Sequence, residues 1–283
     1  MYPKTPIQNT SLQFYGGIKI MKLETLHKQA SELEGVLRLQ SYPLGVKMLK
    51  STDEIPRGAQ RPVKDMGYHL CFCQALALSR RHGLTIAATK EDMWCFEPVA
   101  GLGFTKAPER FLDGYNRYPG TASTVEAGST WARNMPRFDY GSYSAVVSAP
   151  LATADFEPDI FIVYAEPAKM TQIMLAKIWL DGRDITPTLS SHAACVYYVV
   201  PPIKEKKWQM SLPCGGDLRR AGCEFTNMVF SAPIEVLEDL LKGLRAIKDE
   251  GLGLPLRLSP AIEYPLPPAY VEIGKMVGMD WLK

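Results

Sequence analysis

The sequence lacks the features that identify several common classes of protein. It has no run of about 18 apolar residues, the length that a membrane-spanning helix needs. Its 32 Lys and Arg nearly balance 30 Asp and Glu, for a net charge of +2, and they form no basic stripe. This charge pattern gives no reason to expect nucleic-acid binding. Residues 1–20 contain no apolar segment typical of a secretory signal and are predicted to be a polar leader, with Met21 as an alternative start.

The sequence also lacks the short motifs of well-known metal and phosphate sites. It contains no CxxC pair, no HExxH, no GxSxG and no GxxxxGK[ST]. Any metal site must therefore be assembled from segments that are distant along the chain.

Cysteine, in contrast, is well represented, with six residues. In the absence of an export signal we expect a cytoplasmic protein, in which cysteines are thiols or metal ligands rather than disulfides. Cys71 and Cys73 are two residues apart at the predicted start of a helix, where the helix dipole would favour a thiolate at Cys73. We assign Cys73 to function and Cys71 to packing, because free cysteines often pack as small apolar side chains.

Cys214 has the clearest functional context, Pro213-Cys214-Gly215-Gly216-Asp217. Consecutive glycines add no side-chain packing, but they let the backbone approach a cofactor or substrate, so Gly215 and Gly216 are predicted to bind a cofactor. Arg219 could hold an anionic group through two parallel hydrogen bonds. The alternative is an ordinary Gly-Gly turn followed by solvated arginines.

His192 and Cys195 are three residues apart, so on a helix they would share one face and could share a metal. Cys195 could instead be a nucleophile that His192 activates. A lone histidine is more often a surface residue or a satisfied core residue, and that alternative stays open.

Hydrophobic periodicity predicts an α+β fold, with a mixed sheet and flanking helices. We expect a single domain over residues 21–250, and we also consider its construction from two diverged α/β halves, 21–140 and 141–250, around a shared cleft. The halves are indicated by two helices that end at Gly83 and Gly182 and are followed 12 and 13 residues later by Cys95 and Cys195. Residues 251–283 are predicted to be a proline-rich tail on the surface.

The predicted elements follow from the spacing of apolar residues and from the positions of Gly and Pro. Helices are predicted at 23–39, 73–81, 167–181 and from Pro233 onward. Strands are predicted at 46–50, 84–88, 143–149, 159–165, 208–212 and 227–231. The strand at 159–165 has a continuous apolar run and should be buried on both faces.

Several short motifs in a fixed order resemble those of the prokaryotic family known as domain of unknown function 169. They are Tyr42-Pro43-Leu44-Gly45-Val46-Lys47, Cys73-Gln74-Ala75, Trp94-Cys95, Gly101-Leu102-Gly103-Phe104, Glu157-Pro158-Asp159, Ala194-Cys195 and Cys214-Gly215-Gly216-Asp217-Leu218-Arg219. The similarity runs from about Leu23 to Leu244. The family has no settled activity, and its members occur largely in anaerobic bacteria and archaea.

The resemblance implies that four cysteines form a set, because the recurring cysteines of the family match Cys73, Cys95, Cys195 and Cys214 here. Cys71 and Cys223 are extra. Phe96-Glu97 follows Cys95 where the family often has Gly-Gly, which puts the local geometry there in doubt. Four cysteines would complete one [4Fe–4S] cluster or one tetrahedral zinc. We favour the cluster, because structural zinc sites usually use local ligand pairs and the family's setting is anaerobic.

The leading hypothesis is an iron–sulfur protein that performs redox or Lewis-acid chemistry on a small anionic molecule, as an oxidoreductase or a lyase. In it Arg219 anchors the substrate's charge and His192 donates a proton. The expected partner is that substrate or a redox partner protein. Binding to nucleic acid or to a membrane is not expected, and homo-oligomerisation is left open. The alternatives are a metal-free enzyme with Cys214 or Cys195 as nucleophile, and a non-catalytic ligand-binding protein.

Overall fold

The structure is a computed structural model that describes residues 23–255 and 266–282. The predicted leader at 1–20, Met21 and residues 256–265 of the predicted tail lie outside the described residues. Among the described residues, no helix combines the length and the apolar character that crossing a bilayer requires.

One antiparallel sheet organises the fold, with strand order β2-β3-β1-β4-β6-β5. The strands are β1 (Leu44–Leu49), β2 (Ile86–Thr89), β3 (Ala145–Pro150), β4 (Ile160–Ala165), β5 (Gln209–Ser211) and β6 (Met228–Pro233). Side chains alternate along a strand, so Ile160, Ile162 and Tyr164 of β4 face one side of the sheet. Phe161 and Val163 face the other side. All of β4 is buried, as its apolar run predicted.

Helices cover both faces of this sheet. They are α1 (Leu23–Leu37), α2 (Phe72–His82), α3 (Phe96–Gly101), α4 (Glu109–Leu112), α5 (Val125–Asn134), α6 (Pro167–Asp181), α7 (Ala194–Glu205), α8 (Gly215–Arg219), α9 (Leu237–Asp249) and α10 (Pro268–Met276). The apolar stripes of α1, α6 and α9 pack with Phe161 and Val163 in one core. The helices α2, α3 and α7 pack on the opposite face with Ile160 and Ile162, and Cys195, Cys214 and Cys223 belong to that core.

The predicted α+β class is confirmed, but the six named strands pair antiparallel throughout rather than as a mixed sheet. Strands from both predicted halves share this sheet, and β3 lies between β1 and β2. The helices α3, α4, α5, α7, α8 and α10 have no counterpart among the helices given bounds from the sequence. The sequence of α7 is rich in β-branched residues and contains Pro201 and Pro202, and α10 lies in the proline-rich tail, where Pro268 occupies the first helical position that proline tolerates.

Two helical glycines provide a matched test of this packing. A Cβ on Gly243 of α9 would lie 2.7 Å from the carbonyl oxygen of Ala176 in α6, whereas a Cβ on Gly35 of α1 would have no atom within 4 Å. Gly243→Ala should therefore lower the free energy of unfolding by about 1–3 kcal/mol through overpacking. Gly35→Ala should raise it by roughly 0.5–1 kcal/mol, because alanine has the better helix propensity. Urea unfolding measures both, and changes of the same sign would contradict this packing of α6 against α9.

Candidate functional site

Cys71 and Cys73 lie at the start of α2. Cys71 is the residue before the first helical turn, and Cys73 is the second residue of the helix. The Gln74 backbone N–H donates to the sulfur of Cys71, and the Gln74 side chain accepts from the Cys71 N–H at 2.9 Å. This reciprocal cap fixes the orientation of the Cys71 sulfur.

Cys95 is held beside Cys71 by a short parallel bridge between the two segments that precede them. The Leu70 N–H donates to the Asp92 carbonyl at 3.0 Å, and the Trp94 N–H donates to the Leu70 carbonyl at 3.1 Å. Each segment then enters a helix, α2 after Cys71 and α3 after Cys95. The bridge therefore brings together cysteines that are more than twenty residues apart in the sequence.

Cys214 and Cys195 come from the second part of the chain and meet through a backbone hydrogen bond. Cys214 precedes α8, and its sulfur accepts from the backbone N–H of Ala194, the residue before Cys195 in α7. Its own N–H donates to Asp217 Oδ2 at 3.1 Å. Gly216 leaves room for two sulfurs, because a Cβ there would lie 3.1 Å from Cys73 Sγ and 3.4 Å from Cys214 Sγ.

The structure thus brings together Cys71, Cys73, Cys95, Cys195 and Cys214, which we call the cysteine cluster. The sulfurs of Cys71 and Cys73 are 2.9 Å apart, and Cys73 is hydrogen-bonded to Cys214. Cys95 and Cys195 lie close enough for the charge of Cys214 to act on both thiols. Four of the five side chains are buried, and Cys95 is partly exposed. The cluster holds all four predicted ligands and also Cys71, which we had assigned to packing.

The thiols of the cluster differ in their tendency to ionise. Hydrogen bonding with Cys73 lowers the pKa of Cys71 and of Cys214, whereas the pKa of Cys73 rises far above its usual range. Of these three thiols, Cys73 is therefore the last to ionise. Burial is the main cause that raises the pKa of Cys95 and of Cys195. Cys223 lies to the side, near Arg80 and Glu224, and burial raises its pKa to about 12.

Asp217 connects the backbone of Cys214 to two buried tyrosines through hydrogen bonds. Its carboxylate accepts hydrogen bonds from the Cys214 N–H, from the Tyr164 hydroxyl at 3.3 Å and from the Tyr198 hydroxyl at 3.2 Å. Burial raises the pKa of this carboxyl, and the hydrogen bonds partly offset that rise. Asp217 therefore fixes the start of α8, and with it the position of the Cys214 sulfur.

The exposed side of the cluster, next to Cys95, carries charged and aromatic side chains. The Cys95 thiol donates to Glu97 Oε2 at 3.2 Å, and Arg117 Nη2 donates to Glu97 Oε1 at 2.7 Å. The guanidinium of Arg117 stacks 4.2 Å from the centre of the Trp131 ring. The His192 ring packs edge-to-face against the Trp131 ring, with ring centres 5.6 Å apart. We call Glu97, Arg117, Trp131 and His192 the entrance group.

His192 does not share a helix face with Cys195, contrary to our expectation, because α7 begins only at Ala194. Ala193 adopts a left-handed conformation, with φ of 48°, and turns the chain between the two residues. Nδ1 of His192 lies 3.1 Å from the Ser191 carbonyl, which can only accept, so Nδ1 carries the proton and Nε2 is the acceptor. Burial and the charge of Arg117 lower the pKa of His192, which favours this neutral form.

Gly215, Gly216 and Arg219 all lie in α8. Gly216 contacts the sulfurs, whereas a Cβ on Gly215 would meet open space. Arg219 is exposed and makes no ion pair within residues 23–255 and 266–282. Of these three residues, the structure therefore places Gly216 closest to the cluster.

Several residues of the site escaped sequence reasoning, namely Glu97, Arg117, Trp131, Tyr164, Tyr198 and Asp217. For Asp217 a signal was present, because Cys214-x-x-Asp217 has the spacing of a capping box in which cysteine replaces serine. Cys71-x-x-Gln74 has the same spacing. The entrance group has no comparable signal, since its members are scattered over nearly a hundred residues.

The donor set of the cluster consists of thiols, which suit soft metals. Among the described residues, however, no three His, Cys, Asp or Glu side chains are arranged to hold a single metal ion. The thiolates of a [4Fe–4S] cluster bind separate irons, which places their sulfurs roughly 6–7 Å apart. The Cβ position of Gly216 lies 3.1 Å from Cys73 Sγ and 3.4 Å from Cys214 Sγ, so these two sulfurs are less than about 7 Å apart.

Fold and site together define an α+β protein with a buried cluster of cysteines from four chain segments. A profile of DUF169, domain of unknown function 169, described as uncharacterised ArCR, matches residues 32–243. The chain therefore belongs to this family, and the resemblance seen in the motifs is confirmed.

One relative from Methanocaldococcus jannaschii carries the name Uncharacterized protein MJ0308. It is 25% identical over 228 residues, which cover 79% of this chain and 95% of the relative. No solved structure matches the chain.

The two adjacent glycines of α8 provide a test of the sulfur geometry. Gly216→Ala should push the sulfurs of Cys73 and Cys214 apart and weaken their hydrogen bond, because its Cβ would be in close contact with both. The pKa of Cys214 should then rise toward its ordinary value, since that hydrogen bond is the largest cause of its lowering. Gly215→Ala is the matched control. Alkylation rates as a function of pH, resolved by residue through mass spectrometry, measure the shift, and equal profiles for both variants would contradict the geometry.

Proposed function

We propose that the cysteine cluster binds an iron–sulfur cluster and that the protein performs redox or Lewis-acid chemistry on a small anionic molecule. Cys73, Cys95, Cys195 and Cys214 are the proposed ligands, and Cys71 is a fifth thiol at the same site. An iron–sulfur cluster, when bound, supplies a centre that transfers electrons or accepts a lone pair from a substrate. The observation that supports this proposal is the convergence of five cysteines from four segments into one buried site.

Burial favours a bound inorganic centre over a set of free catalytic thiols. The exposed fractions of Cys71, Cys73, Cys195 and Cys214 are 2%, 4%, 3% and 6%. A thiol nucleophile must be reached by its substrate, whereas a metal ligand needs only to reach the metal. Covalent thiol chemistry needs one nucleophile and a group that activates it, and it therefore gives no reason for five neighbouring thiols.

The surroundings of the sulfurs suit an anionic centre. Backbone N–H groups of Gln74, Asp217 and Ala194 donate to sulfur atoms of the cluster. Such N–H donors stabilise thiolates and tune the reduction potential of iron–sulfur clusters. The starts of α2 and α7 also direct their partial positive charge at the site.

The entrance group suits a small anionic substrate. Arg117 uses one nitrogen for Glu97, and its Nε is buried with no hydrogen-bond partner among the described residues. A guanidinium with a free edge recognises carboxylate or phosphate. We therefore assign the anchoring of substrate charge to Arg117 beside Cys95, with Arg219 as a secondary contact. His192 is the proposed proton-transfer group, which would accept a proton at Nε2 before it could donate one.

Localisation and partners complete the proposal. We place the protein in the cytoplasm, where reducing conditions keep the cysteines available as ligands. The proposed partner is the small anionic substrate or a redox partner protein. We do not expect binding to nucleic acid or to a membrane, and we leave open whether the protein forms a homo-oligomer. Whether the activity is that of an oxidoreductase or of a lyase depends on whether one iron lacks a protein ligand.

Anaerobic purification tests the iron–sulfur proposal directly. The protein should be coloured and contain iron and acid-labile sulfide in equal amounts, and Cys214→Ser should lose most of both. Cys223→Ser is the matched control, because Cys223 is equally buried but lies to the side of the cluster, and it should retain them. A colourless wild-type protein without iron and sulfide would refute the proposal.

A metal-free cysteine nucleophile is the second candidate, and the contact between Cys73 and Cys214 favours it. This contact lowers the pKa of Cys214, so a larger fraction of that residue is thiolate at neutral pH. Burial raises the pKa of Cys195 and makes it the weaker nucleophile of the two.

Iodoacetamide at neutral pH distinguishes this second candidate from the first. In the metal-free protein Cys214 should be labelled faster than Cys195 and Cys223, whose raised pKa values leave them as thiols. Peptide mass spectrometry over a time course measures the rates. Uniformly slow labelling of all six cysteines would exclude a free nucleophile.

A further inference from the structure

A separate cavity lies at the opposite end of α2 from the cysteine cluster. It has a volume of about 480 Å³ and is bounded by the end of α1, the segment 39–42, the last turn of α2 and Glu224. Its lining includes the polar side chains of Glu34, Ser41, Arg80, Arg81 and Glu224. No cysteine lines it.

Arg80 is a buried cation in the wall of this cavity. Its exposed fraction is 1%, and its guanidinium lies 4.4 Å from the centre of the Tyr164 ring. Nη1 makes two long contacts, 3.4 Å to Ser41 Oγ and 3.3 Å to Glu224 Oε2. Nε has no hydrogen-bond partner among the described residues. A buried charge with such weak compensation is costly, which indicates that a further acceptor belongs here.

Glu224 cannot supply that acceptor alone, because two arginines share it. Arg81 Nη2 lies 2.6 Å from Glu224 Oε1, a closer contact than the one Arg80 makes to the other oxygen. Glu34 also lines the cavity, and its Oε1 is buried with no partner among the described residues. Burial raises the pKa of Glu34, so this carboxyl keeps its proton more readily than an exposed one. The cavity therefore presents a buried guanidinium whose hydrogen-bonding capacity Ser41 and Glu224 use only in part.

We propose that this cavity binds a small molecule through one oxyanion group, a carboxylate or a phosphate, held by Arg80 and Arg81. The Ser41 hydroxyl, which lines the cavity beside Arg80, can donate a further hydrogen bond to it. A guanidinium pairs with either oxyanion through two parallel hydrogen bonds, so the structure assigns their shared chemistry. The site does not use the cysteines, and the proposal stands whether or not they bind a metal.

Thermal unfolding in the presence of anions tests the site on the full chain. Inorganic phosphate and succinate represent the two kinds of oxyanion, and sodium chloride at matched ionic strength is the reference. At least one of the two oxyanions should raise Tm in a saturable manner, as a ligand of the native state does. Whichever acts identifies the group that the cavity prefers. If neither raises Tm above the chloride reference, the proposal is wrong.

Variants of the two charged partners sharpen the test. Arg81→Met should weaken the apparent affinity about tenfold, the loss expected for one charge-assisted hydrogen bond. Arg133→Met is the control, because Arg133 is also an exposed, ion-paired arginine but does not line the cavity, and the affinity of this variant should equal that of the wild type. Glu224→Gln removes the competing carboxylate and should strengthen binding about tenfold.

The Glu224 variant also separates binding from a purely structural role. If the two arginines serve only to hold Glu224, Glu224→Gln should lower Tm and the oxyanion should not restore it. That outcome, or an affinity of Arg81→Met equal to that of the wild type, would overturn the proposal. Circular dichroism without added anions verifies that each variant is folded before its affinity is compared.

Discussion

The hydrogen bonding of buried sulfur is the constraint on which the rest of the site depends. Thiols in an apolar core are neutral and inert, but here the starts of helices supply backbone N–H donors to sulfur. Every cysteine of the cluster lies immediately before a helix or as its second residue. The order of helices along the chain therefore determines which sulfurs can meet, and the sheet determines that they meet on one face.

Helix α2 connects the two sites that the structure presents. Cys71 and Cys73 lie at its start, Arg80 lies in its last turn, and Ser79 anchors it to β3 through the Ser148 hydroxyl at 2.8 Å. Beneath Arg80, Tyr164 donates to Asp217, which holds the backbone of Cys214. Tyr164 therefore contacts both Arg80, in the wall of the cavity, and Asp217, which holds the backbone of Cys214.

Sequence periodicity predicted most of the fold, because α1, α6 and α9 have one apolar stripe each and β4 is apolar throughout. It failed at α7, where β-branched residues and two prolines are held in a helix by burial on every side. Periodicity did not predict the clustered cysteines, four of which were predicted from the family resemblance instead. It could not predict Arg117 or Trp131, because their role arises only from proximity to Cys95 in three dimensions.

Access to the cluster is confined to one corner. Four sulfurs are enclosed by α2, α7 and α8, and Cys95 is partly exposed beside Glu97. In the function that we propose, a substrate would reach the cluster beside Arg117, Trp131 and His192. Glu97 is ion-paired with Arg117 and also accepts a hydrogen bond from the Cys95 thiol. It therefore links the guanidinium of the entrance group to the one sulfur of the cysteine cluster that is partly exposed.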